Sequence, residues 1–212
     1  MEKKETKYEK KKGIIKRYNS SAAYYDSRYK DIQFRKFKIS LEIIKLRERI
    51  ILDAGCGTGL LYEFLYQTHR FWGKGCSHII NTDISIEMIK IFQEKLRERG
   101  IKSSTENIFK QQKSLHHLVI ADAENLPFRP CQFDIILSFT MIQNLSDNKK
   151  FFRKIHDIIK NEGDVLLSLI KKKKEDIKLF YSLFNNSNKL FQKEYEILDQ
   201  EDFIFIGKGI KK

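Results

Sequence analysis

The sequence predicts an α/β fold built on a mostly parallel seven-stranded sheet, with helices on both faces and an antiparallel C-terminal hairpin. Three observations carry this. Short apolar runs alternate with segments whose apolar residues recur at helical spacing, and parallel neighbours need crossovers of that length. The first such strand leads into its helix through a glycine-rich turn, "LDAGCGTG" at 52–59. The last two apolar runs, "EYEILD" and "FIFIGK", are separated only by Gln200, Glu201 and Asp202, too short a link for a crossover.

The elements follow in order. Residues 1–17 hold eight Lys/Arg against three Glu and read as a basic, solvated N-terminal tail. Residues 18–48 read as a helical cap, with Phe34, Phe37, Leu41 and Ile44 at helical spacing. Residues 49–212 form the main domain. Its first strand, Arg49 to Asp53, precedes a helix stripe of Leu60, Leu61, Phe64 and Leu65. Strand 78–83 follows, then a helix capped by Ser85 and carrying Met88, Ile89, Phe92 and Leu96. Strands 117–122 and 133–139 precede a helix from Ser146, with Phe151, Phe152, Ile155, Ile158 and Ile159 on one face. Strand 164–170, a helix-like stretch from about Lys174 to Gln192 and the hairpin complete the chain. Two polar segments, Gln67–Ser77 and Ile101–His116, read as surface insertions, and no internal repeat is present.

Lys and Arg number 41 against 28 Asp and Glu, for a net charge of +13, which suits a polyanion, an anionic surface or an acidic protein as partner. Three widely spaced cysteines, Cys56, Cys76 and Cys131, argue against a disulfide framework or a four-cysteine zinc site and fit a reducing cytoplasm. No apolar run approaches the roughly 18 residues of a membrane span, and the charged N-terminus is not a secretory signal, so a cytoplasmic protein is expected. The five histidines show no familiar ligand spacing with each other or with Cys76, so no metal is expected. Cys56 reads as a small buried residue. Cys131, which follows Pro130, reads as loop surface.

A glycine turn at the carboxyl end of a parallel strand is where such sheets bind ligands. A phosphate-gripping loop of the GxxxxGK[ST] type is excluded, because neither its lysine nor its hydroxyl is present. The dinucleotide pattern GxGxxG is also broken. Position 60 is Leu, and the glycines are Gly55, Gly57 and Gly59. Asp53, just before them, disfavours pyrophosphate and suits a cationic or hydroxyl-bearing ligand. The ligand is therefore nucleoside-like and poor in phosphate.

"LDAGCGTG" resembles motif I of the class I S-adenosylmethionine-dependent methyltransferases, which have a Rossmann-like fold and whose cofactor carries an adenosine and an amino acid but no phosphate. The resemblance covers most of the chain. It implies that Asp53, Gly55, Cys56, Gly57 and Gly59 form the cofactor turn. Asp83 in "NTDIS" would bind the ribose hydroxyls beside Ile84, since a carboxylate accepts two hydroxyl protons at once. Asp122 in "ADAENLPF", with Ala123, would contact the adenine amine, and Ser138, in the fourth strand, would also belong to the cofactor site.

Within the class, "ADAENLPF" followed by "FDIILS" is similar to the subgroup of quinone-biosynthesis and wobble-uridine tRNA methyltransferases. That subgroup begins with a "Y…A..YD..Y" stretch closing over the cofactor, matched by Tyr18, Ala22, Tyr25, Asp26 and Tyr29. "SFTMIQNL", after the fourth strand, lies where acceptors approach in the family, with Gln143 and Asn144 as candidate hydrogen-bonding groups. It lacks the Asn/Asp-Pro-Pro-aromatic sequence that accepts base amines. Methyl transfer from a sulfonium needs chiefly alignment and exclusion of water, so no catalytic residue is assigned. The basic segments and the subgroup favour RNA, tRNA in particular, as acceptor. Small-molecule and protein acceptors, or a non-catalytic cofactor-binding partner, are the alternatives.

Overall fold

The structure, a computed structural model, describes residues 6–68, 77–99, 114–171, 178, 190–198 and 202–210. The expected seven-stranded sheet is present. In chain order the elements are α1 (Lys7–Ser40), β1 (Ile50–Ala54), α2 (Leu60–Gln67), β2 (Ser77–Asp83), α3 (Ile86–Glu98), β3 (Ser114–Ile120), β4 (Phe133–Ser138), α4 (Asn148–Ile158), β5 (Ile159–Ile170), β6 (Phe191–Leu198) and β7 (Asp202–Gly209). The strands lie in the order β3-β2-β1-β4-β5-β7-β6. The first five are parallel, while β7 pairs antiparallel with both β5 and β6.

Helices bury one face on each side of the sheet. The α4 residues Phe151, Phe152, Ile155 and Ile158 pack with Leu52, Ile136, Val165 and Phe205 on one side of the sheet. Phe37 of α1 and Leu61 and Phe64 of α2 pack with Ile51, Ile135 and Ile204 on the other. Fully burying each such side chain contributes about 1.5–3 kcal/mol. Ser85 caps α3 as expected, its hydroxyl accepting from the Met88 N–H. Between β3 and β4 there is only a short 3-10 turn, Ala123–Asn125, and no α-helix.

Several boundaries differ from the sequence expectation. The basic segment is helical from Lys7, and α1 runs unbroken through the expected break at residues 17 and 18. Thr6 and Glu9 start it with a reciprocal capping box. Its first turns are then tied to the body by Lys7 to Asp147 at 2.8 Å and Lys11 to Asp122 at 2.6 Å. The cap of α4 is Asp147 and not Ser146, because the Ser146 N–H and hydroxyl are already bound to Glu124. Ile159 leaves the helix stripe and begins β5, with an extended backbone at the helix end. His116, expected in a polar insertion, is a buried residue of β3, and Phe191 and Gln192, expected to be helical, begin β6. The rest of that helix-like stretch, the bodies of both insertions (69–76 and 100–113) and Cys76 lie outside the described residues.

Candidate cofactor site

Because β1 to β4 are parallel, their carboxyl ends share one edge of the sheet, and the candidate site lies along it. The turn after β1 wraps the end of β2. Gly55 and Cys56 both donate to the Thr82 carbonyl, at 2.8 and 2.9 Å, and Gly57 N–H donates to Asp83 Oδ2 at 2.9 Å. Gly55, Gly57 and Gly59 all have positive φ. At Gly59, with φ 79°, an added Cβ would also clash with the Phe92 ring of α3. Gly59→Ala therefore combines left-handed strain with overpacking and is expected to lower stability by about 2–4 kcal/mol, read as a fall in the urea midpoint.

A cavity of about 720 Å³, including its open mouth, sits above this turn and beneath α1. Nine residues anticipated from sequence line it: Tyr18, Tyr25, Gly55, Gly57, Asp83, Ile84, Asp122, Ala123 and Asn144. Asp53 and Cys56 line a smaller adjoining cavity that shares Tyr25, Gly55 and Gly57 with the first. Gly59 caps α2 and lines neither wall. Ser138 does not reach the cavity either. It is fully buried, its hydroxyl without a hydrogen-bond partner among the described residues.

Asp83 is held by the N–H groups of Gly57 and Ser85. Burial outweighs these bonds and raises its carboxyl above the usual range. Asp53 is pushed up to about 7, first by burial and then by the charge of Asp83. An aspartate in the unfolded chain titrates near 4, so between about pH 4 and 7 the unfolded chain has lost a proton that folded Asp53 retains. Stability from this residue therefore falls as pH rises through that window and levels off above it. Asp53→Asn is expected to melt close to wild type near pH 4 and to be more stable by roughly 4 kcal/mol above pH 7, as read from denaturation midpoints across pH.

Asp122 faces a cation that sequence reasoning missed. Lys11 Nζ lies 2.6 Å from Asp122 Oδ2 and 2.8 Å from Glu124 Oε2. Although desolvation opposes it, hydrogen bonding from Lys11 and the Glu124 N–H holds Asp122 below the usual carboxylate range. Glu124, only 4% exposed, also accepts the N–H groups of Ser146 and Asp147, tying the floor of the site to the start of α4.

The roof comes from α1. Tyr18 accepts from the Asn144 amide at 2.7 Å, and Arg17 reaches the same Asn144 at 2.6 Å. Tyr25 packs against Tyr29, ring centroids 4.8 Å apart, and burial raises the hydroxyls of Tyr18 and Tyr25 above the usual phenol value. Asp26 accepts from Thr58 of the glycine turn at 2.5 Å and pairs with Lys95 of α3, so it fastens the roof to the floor. Ala22 is buried where α1 packs down. Gln143 donates to the Thr140 carbonyl within its own loop, whereas Asn144 lines the cavity. Lys11, Ile14, Thr140 and Met141 also line it without having been singled out. Lys11 is one of several lysines in a charged run, and its placement depends on how α1 crosses the sheet edge.

These groups fit an adenosine-bearing sulfonium. A backbone turn with left-handed glycines permits close approach, two carboxylates, Asp83 and Asp122, line the cavity, and the P-loop lysine that would grip a phosphate chain is missing. Among the described residues no three His, Cys, Asp or Glu side chains come together as a metal site, and no helix is long and apolar enough to cross a membrane. Cys131 is exposed before β4.

Comparison with known proteins agrees. The Methyltransferase domain family profile matches residues 52–167, more than half of the chain. The ubiquinone/menaquinone biosynthesis C-methyltransferase of Vibrio parahaemolyticus is 27% identical over 215 residues, 97% of this chain and 76% of its own length. The malonyl-[acyl-carrier protein] O-methyltransferase of a Methylovorus species is 30% identical over 130 residues, and those cover 61% of this chain and only 40% of that protein. In fold, the chain resembles a SAM-dependent methyltransferase from Aquifex aeolicus, with a TM-score of 0.70 at 16% identity over 91% of this chain and 98% of the other. With the sheet order, the glycine turn and the acidic strand ends all in place, the chain belongs to the class I S-adenosylmethionine-dependent methyltransferases.

Proposed function

We propose that the protein methylates a small molecule with a largely apolar body, using S-adenosylmethionine. The observation that carries this reading is the roof. Ile14, Tyr18 and Tyr25 of α1 face Phe139, Met141 and Leu145 across the cavity, giving apolar walls under a helix where a macromolecular acceptor needs an open groove. The Vibrio relative's printed role in quinone biosynthesis is in keeping with such an acceptor.

The bound cofactor supplies an electrophilic methyl group. In this reading Asp83 accepts the ribose hydroxyls and Asp122 the adenine amine, with Ile84 and Ala123 packing beside them. Gly55 and Gly57 let the backbone come close to the amino-acid portion, and buried Asp53 sets the field behind it. Asp122, Asp83, Gly55 and Thr140 follow the strand ends in the order β3, β2, β1, β4. The adenosine thus lies at one end of the cavity and the acceptor at the Thr140 end. Tyr18 and Tyr25 exclude water over that end, which favours alignment of acceptor and donor.

A second reading, an RNA acceptor, rests on the outer face of α1. There Tyr8 and Tyr24 are 67% and 74% exposed, on the same helix as the exposed Lys12, Lys16 and Arg28, an arrangement suited to base stacking and phosphate contact. Incubation with radiolabelled cofactor and fractionated cell extract tests both. Label in the solvent-extractable fraction supports the first reading, and nuclease-sensitive label transfers the assignment to RNA. Binding of S-adenosylhomocysteine with no labelled fraction makes the protein a non-catalytic partner.

A further inference from the structure

The first turns of α1 bring a cation to the β3 end of the cavity. Lys7 pairs with Asp147 at 2.8 Å, Lys10 donates to the Leu145 carbonyl at 2.5 Å and Arg17 donates to Asn144 at 2.6 Å, which fastens the backbone carrying Lys11 to the rim. Lys11 itself lies on the cavity wall, its side chain 24% exposed. Its Nζ spans two carboxylates, Asp122 Oδ2 at 2.6 Å and Glu124 Oε2 at 2.8 Å. Desolvation opposes the charge, but hydrogen bonding to both carboxylates outweighs it and raises Lys11 above the usual lysine value. The ammonium is therefore intact at neutral pH.

Lone pairs and protons define what this corner still offers a ligand. Glu124 is spent on the fold, accepting Lys11 and the N–H groups of Ser146 and Asp147. Asp122 Oδ2 accepts Lys11 and the Asn125 amide at 2.7 Å, whereas Oδ1 accepts only the Glu124 N–H, at 2.9 Å, among the described residues. One lone pair of Oδ1 is open. An ammonium carries three protons and Lys11 gives two of them to these carboxylates, so the third is left to donate. The open acceptor and the charged donor are neighbours, because Lys11 is bound to the other oxygen of the same carboxylate. Adenine presents the complement: its exocyclic amine donates, and the ring nitrogens flanking that amine, N1 and N7, accept. Ile14, Ile84 and Met88 in the same cavity offer apolar surface to the faces of such a ring.

We propose that Lys11 is a base-reading residue of the cofactor site: its third proton donates to a ring nitrogen beside the adenine amine, while Asp122 Oδ1 accepts from the amine itself. Asp122 fixes Lys11, and Lys11 keeps the carboxylate charged, so the two act as one donor–acceptor unit. A base with a carbonyl in place of the amine sets oxygen against Asp122, and the unit therefore selects an aminopurine. The basic start of α1 thereby becomes part of the cofactor site. The inference rests on the placement of the adenosine at the Asp122 end argued above, and adds to it a residue outside the strand-end motifs.

Calorimetry on the full chain tests it with S-adenosylhomocysteine and three analogues altered at the adenine edge: the 1-deaza and 7-deaza forms, each with CH in place of one ring nitrogen, and the 6-deamino form. Wild type is expected to bind one of the two deaza forms about tenfold more weakly than the parent, the size of one hydrogen bond from a charged donor. Lys11→Met is expected to weaken the parent by a similar factor and to bind that deaza form equally well. Lys11→Gln, which keeps a donor without the charge, serves if the methionine variant does not fold, and should shrink the deaza penalty several-fold. Wild type that binds both deaza forms like the parent, a penalty that persists in full in either variant, or tighter binding of the parent by Lys11→Met overturns the proposal. The last of these would make Lys11 a competitor for Asp122. Undiminished wild-type affinity for the 6-deamino form overturns the placement of the amine at Asp122, and failure to bind S-adenosylhomocysteine overturns the methyltransferase reading. Both are separable from loss of the deaza penalty alone.

Discussion

Asp83→Ala is expected to weaken binding of S-adenosylhomocysteine by at least about a hundredfold, measured by calorimetry. Two effects act in the same direction. The substitution removes the acceptor proposed for both ribose hydroxyls, and hydrogen bonds to a charged group contribute about 1.5–3 kcal/mol each. It also strands the Gly57 N–H, which Asp83 now holds at 2.9 Å, so the glycine turn loses one of its ties to β2 and keeps those of Gly55 and Cys56 to Thr82. Asp83→Asn separates the two effects. It keeps one carbonyl oxygen for Gly57 but lacks the second acceptor and the charge, so it should fall between Ala and wild type. Unchanged affinity in the alanine variant would sink the assignment of Asp83.

Lys36→Met is expected to destabilise the fold by about 3–5 kcal/mol, because it breaks an ion pair with Asp202 at a position with no exposure. The double variant Lys36→Met with Asp202→Asn should recover much of that loss, since no net charge then remains buried. Urea denaturation of the two variants checks this directly. A single variant as stable as wild type would show that the pair is not the charge-compensated unit described. The pair also joins the C-terminal end of α1 to the last strand, residues 36 and 202, so the roof of the site is anchored across nearly the whole chain.

Much of the fold was legible in advance for a simple reason. Strand and helix periodicities are local, and strands separated by helical stretches leave few ways to connect, so the parallel order and the C-terminal hairpin followed from spacing. The glycine turn was equally readable, since backbone conformations closed to other residues select glycine at Gly55, Gly57 and Gly59. Ends of elements were less legible. The first three turns of α1 read as tail because their lysines look solvated, yet the capping box and pairing with Asp122 and Asp147 hold them as helix. Ile159 continued an apolar stripe by count, but tertiary pairing drew it into β5 opposite Phe133.

From the order of residues alone come the sheet, the glycine turn, the acidic ends of β2 and β3 and hence the methyl donor, because each depends on a short run of neighbours. Only the folded chain decides which side chains meet across it. Gln33, Lys36, Thr140 and Asp202 lie up to 169 positions apart and share no periodicity, so no local pattern brings them together. They converge because α1 lies across the sheet edge where β4 ends, while β7 inserts beside β5 and brings Asp202 to its far end. The donor is written in contiguous motifs, whereas the cluster of Lys36, Thr140 and Asp202 is a product of packing, which brings together polar groups that no local pattern connects.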